Sequence, residues 1–132
     1  MKAQTLTNVR LIVLGIAGLV CASYSGLAIL WDNPQPFSPW LPGIAGVFAA
    51  IVITLSAILA GPRNTQIAMD ELYRAEWGKA VQISYWIGIL LFIAGAVAIT
   101  RDWISPAAGI AAAGTAYGAS PMLLFCLISL RG

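Results

Sequence analysis

"LIVLGIAGLVCASYSGLAILW", Leu11 to Trp31, decides the fold. It contains no Asp, Glu, Lys or Arg. At 1.5 Å per residue, a helix of about 20 apolar residues crosses the hydrocarbon core of a bilayer. With no water available in that core, a spanning segment must satisfy its own backbone hydrogen bonds, so the stretch reads as a helix. Lys2, Arg10 and the "VCAS" that follows resemble a cleavable leader. The apolar run continues past that point to Trp31, which favours a retained span.

Three further stretches share this character: "LPGIAGVFAAIVITLSAILA" (Leu41–Ala60), "VQISYWIGILLFIAGAVAIT" (Val81–Thr100) and a fourth from Ile104 to Leu130. The composition agrees. Of 132 residues, 60% are hydrophobic and 9% charged, against roughly a quarter charged in soluble domains. Too little polar surface remains to cover a globule in water. The expected fold is an all-α integral membrane protein, a four-transmembrane-helix bundle forming one domain over residues 1–132. Its spans lie at about 11–31, 41–60, 81–100 and 104–130, with an outer loop at 32–40 and a cytoplasmic segment at 61–80.

Orientation follows from the cationic residues, which concentrate in cytoplasmic loops. Lys2, Arg10, Arg63, Arg74, Lys79 and Arg131 fall on one side of the four spans, and only Arg101 on the other. This predicts both termini inside, N-in/C-in, in a bacterial inner membrane. Trp31, Trp40 and Trp103 would mark the outer interface, and Tyr73, Trp77, Tyr85 and Trp86 the inner one. The outer loop "WDNPQPFSPWLPG" is proline-rich, which fixes φ and removes backbone donors, so it reads as an extended cap.

Lipid provides no hydrophobic drive for helix association, so small residues that allow close approach become the packing signal. Gly18, Ala22 and Gly26 form one such stripe, Gly46 and Ala50 (with Thr54) a second, Ser84 and Gly88 a third, Gly114 and Gly118 a fourth. The Ala- and Gly-rich fourth segment is a weak span alone, so it is expected to insert as a hairpin with the third. Pro121 should kink it and free the carbonyl of Tyr117.

The spans hold no charged side chain, which argues against a proton-coupled transporter. The chain has no histidine, excluding His-ligated haem, His-bearing zinc sites and a Ser-His-Asp triad. Cys21 and Cys126 lie in apolar runs and read as buried thiols. No phosphate loop, nucleophile motif or basic tract for nucleic acid appears. No catalytic, cofactor-binding or metal-ligating residue is assigned, and no enzyme activity is expected.

The charged stretch "MDELYRAEWGKA" (Met69–Ala80) reads as a cytoplasmic helical extension running unbroken into the third span, capped by Asn64 or Thr65. Asp70 and Arg74 have the favourable i,i+4 order, while Glu71–Arg74 and Glu76–Lys79 are three apart. Neighbouring carboxylates on a helix diverge by about 100°, so Asp70, Glu71 and Glu76 make a poor metal site. Asp70, Glu71, Arg74 and Lys79 are instead candidate docking residues. The function expected is a non-enzymatic accessory subunit, its partners being the bilayer and either other membrane subunits or further copies of itself. The alternative is a small oligomeric channel or transporter for a neutral or weakly polar solute, lined by Tyr24, Tyr117, Ser120 and the Pro121 kink.

Overall fold

A computed structural model describes all 132 residues. It is all-helical: α1 (Ala3–Leu30), α2 (Leu41–Ala68), α3 (Glu71–Thr100) and α4 (Pro106–Arg131). All four are long and apolar enough to cross a membrane. Both chain ends and the α2–α3 junction lie at one end of the molecule. The loop after α1 and the turn after α3 lie at the other.

The helices outrun the spans read from composition. α1 begins eight residues before Leu11, because its polar first turns still present one apolar face. Leu6 and Arg10 are buried on the same side as Leu14, at four-residue spacing. α2 breaks at Gly61, where φ is +80° and ψ 165°, a conformation open essentially only to glycine. Pro62 then starts a short continuation over 62–68, which turns the chain toward α3.

Asn64 and Thr65 therefore do not cap the charged helix. They cap the carbonyls that the break orphans: Thr65 Oγ1 donates to Ala57 O at 2.9 Å, and Asn64 Nδ2 to Ala60 O at 3.0 Å. The N-cap of α3 is Asp70, whose Oδ1 accepts from Tyr73 N at 3.0 Å. From there α3 runs unbroken through the charged stretch to Thr100, as expected.

At the opposite end two turns share one design. After α1, Asn33 N bonds Ala28 O and Asp32 N bonds Ile29 O; after α3, Trp103 N bonds Ala98 O and Asp102 N bonds Ile99 O. Each is a Schellman closure with aspartate in the left-handed position that glycine usually takes, φ +45° at Asp32 and +56° at Asp102. Asp32 gains from this. Its Oδ1 accepts from Ser105 N at 2.7 Å and ties the two turns together.

The four helices pack as a row in the order α2–α1–α4–α3, and α2 hardly meets α3. The inner pair, α1 and α4, carries most of the buried residues. On α1 these include Ala17, Gly18, Cys21, Ser25 and Ala28; on α4, Ala108, Ala112, Ala119 and Phe125. Ser25 Oγ donates across this seam to Ala112 O at 2.7 Å. α3 and α4 pack as a hairpin.

Candidate functional site

The most unusual group in the molecule is Arg10, a charged side chain only 4% exposed. Its place on the apolar stripe of α1 carries it inward between Leu6 and Leu14. Burying a guanidinium is costly unless hydrogen bonds and opposite charge offset it. Several groups do so here. Nη1 donates to Ala68 O at 3.1 Å. Ala68 ends α2, where carbonyls lack intrahelical partners and the dipole is negative. The guanidinium carbon lies 3.8 Å from the centre of the Tyr73 ring on α3 and 5.5 Å from that of Phe125 on α4. Arg10 thus joins all four helices at their charged end.

The aromatic floor below it comes from α3 and α4. Tyr73 and Trp77, one turn apart, both meet Phe125 edge-on at centroid distances of 5.4 and 5.3 Å. Phe125 is fully buried. Glu76 lies on the same side of α3, and its Oε2 accepts from Ser129 Oγ of α4 at 2.5 Å. Asp70 and Glu76 both act electrostatically on Arg10, offsetting part of the cost of its burial.

Around these groups, at the charged end of the molecule, is a part-open cavity of about 410 Å³. Arg10, Asp70, Tyr73, Glu76 and Ser129 line it together with Gln4, Thr7 and Asn8 of α1. Arg10 Nε is buried and has no hydrogen-bond partner. The arrangement offers one cation deep in the wall and two carboxylates nearer the opening. It can bind a small polar or zwitterionic group. Asp70, Glu71 and Glu76 do not form a cluster able to hold a metal.

The residues nominated from sequence distribute unevenly. Of the docking set, Asp70 reaches the cavity, whereas Glu71, Arg74 and Lys79 are exposed and outside it. Among the packing set, Gly18 and Gly88 sit in close contacts. A Cβ on Gly18 would lie 2.8 Å from Leu123 of α4, and one on Gly88 2.6 Å from the Tyr117 ring. Ala22 is half-buried and Ala50 exposed. Gly26, Gly46, Gly114 and Gly118 face open space.

Of the residues nominated for a pathway, Tyr24 stands apart from Tyr117, Ser120 and Pro121. Tyr24 is buried on α1 and its hydroxyl donates to Pro34 O at 3.1 Å, pinning the outer loop. Tyr117 lies against Gly88 and, at 6.5 Å between rings, Phe92 of α3. Pro121 removes the helical donor to the Tyr117 carbonyl, and Ser120 Oγ replaces it at 2.8 Å.

Sequence reasoning missed Arg10, Tyr73, Glu76 and Ser129 as one constellation. It read Arg10 as a topogenic charge and Glu76 as a partner of Lys79. The available signal was the Leu6–Arg10–Leu14 spacing, which places the arginine on the buried face. Compared with known proteins, the chain matches no family model, no curated protein and no solved structure.

Proposed function

We propose that the protein is a multi-pass inner-membrane protein with both termini cytoplasmic, acting as a non-enzymatic accessory subunit of a larger membrane assembly. The observation that carries this reading is the open row. Only Ala49, Ala60 and Ala68 are buried on α2, so one long flank of the molecule has no protein against it. On that flank Gly46 faces open space, and Ala50 and Thr54 are exposed. Small residues at this spacing permit close backbone approach by another helix. Six cationic residues on the Arg10 side of the spans support the orientation. The charged first turns of α3 then form the cytoplasmic extension, with Glu71, Arg74 and Lys79 available for docking.

Extraction in mild detergent tests the reading. The expected particle is heavier than the 13.9 kDa chain plus its detergent, and contains other chains. A lone monomer under several gentle conditions would overturn it.

A further inference from the structure

The cavity at the charged end brings together groups whose bonding is incomplete. Arg10 is buried in its wall with Nε unpartnered. Asp70 uses Oδ1 to cap α3, and Glu76 uses Oε2 to hold Ser129; each keeps a second carboxylate oxygen. Nε is sealed from the cavity and Nη1 already donates to Ala68 O, so Nη2 is the guanidinium donor left for an anionic oxygen in the cavity, as a charge-assisted bond. The wall as a whole carries one positive and two negative side chains, so an anion alone would meet net repulsion. The complementary ligand bears both a phosphate-like oxygen and an ammonium with N–H donors, a few bonds apart.

Position narrows the source. The cavity lies where four membrane-spanning helices end, and Leu11, Ile67 and Leu72 add apolar lining beside the polar groups. The geometry points to a site for the zwitterionic headgroup of an ethanolamine phospholipid, its phosphate toward Arg10 and its ammonium toward Asp70 and Glu76. This rests on the helices spanning a bilayer and not on the accessory role. A choline headgroup fits poorly, because its three methyl groups leave no N–H to donate to the carboxylates.

The test uses the full chain in detergent micelles containing equal amounts of phosphatidylethanolamine, phosphatidylglycerol and phosphatidylcholine, with retained lipid counted by native mass spectrometry. One ethanolamine lipid per chain is expected to dominate. In the double variant Asp70→Asn, Glu76→Gln the preference should fall about tenfold, as for loss of charge-assisted bonds. Asparagine still caps a helix and glutamine still accepts from Ser129, and an unchanged thermal midpoint would verify that the fold persists. Equal retention by wild type and variant overturns the site, as does preferential retention of glycerol or choline lipid. Binding of soluble O-phosphoethanolamine as tightly as the lipid would overturn the lipid as its source.

Discussion

Arg10 of α1 lies face-on to Tyr73 of α3, the guanidinium carbon 3.8 Å from the ring centre. The two helices are not neighbours in the row, so this contact closes the charged end across α4. The stack should be measurable. Tyr73→Leu removes the π face and is expected to cost about 0.5–2 kcal/mol, whereas Tyr73→Phe keeps the ring and costs little. A double-mutant cycle with Arg10→Gln, read by thermal unfolding in detergent, should give a coupling of the same size.

Glycines that look alike in the sequence should respond differently. Gly88→Ala drives a methyl group to 2.6 Å from the Tyr117 ring, so the ring or the α3–α4 seam must shift, at a cost of about 1–3 kcal/mol. Gly46→Ala and Gly118→Ala point into open space and should be neutral or gain up to about 1 kcal/mol from the better helix former. Equal effects at all three positions would contradict the row.

The break in α2 depends on one glycine. At Gly61 the backbone has φ +80° and ψ 165°, and the following proline disfavours relaxation to α geometry. Gly61→Ala should therefore cost about 1–3 kcal/mol. It should also loosen the 62–68 turn that carries Ala68 to Arg10. Faster hydrogen exchange over residues 62–70 is the expected sign.

Asp32 serves both as a left-handed cap and as the acceptor for Ser105 N at 2.7 Å. Asp32→Asn preserves both properties and should be near neutral. Asp32→Ala loses the bond and resists the left-handed conformation, for a loss of about 1–2 kcal/mol in the same unfolding assay.

Orientation is checked by fusion. Alkaline phosphatase joined after Pro36 is expected to be active, and joined after Arg63 inactive. The reverse pattern would place Arg10 and its cavity on the outer side.

That the chain forms four long apolar helices was legible in the residues alone. The cost of placing a segment in lipid is summed over its own side chains and backbone, so no partner is needed to evaluate it. Leu11–Trp31 carries that information locally, as Pro121 does for the freed carbonyl of Tyr117. Which way each helix faces is different. A helix apolar on nearly every side has no face marked for burial, so Gly18 and Gly26 look equivalent until α4 lies against one of them. The same holds at the charged end. Arg10, Tyr73, Glu76 and Ser129 are scattered through the chain, and Glu76 has an adequate local partner in Lys79. Only the packing of α1 and α3 against α4 brings the guanidinium over the ring and the carboxylate to Ser129, because such contacts depend on distances between helices and not on residues within one.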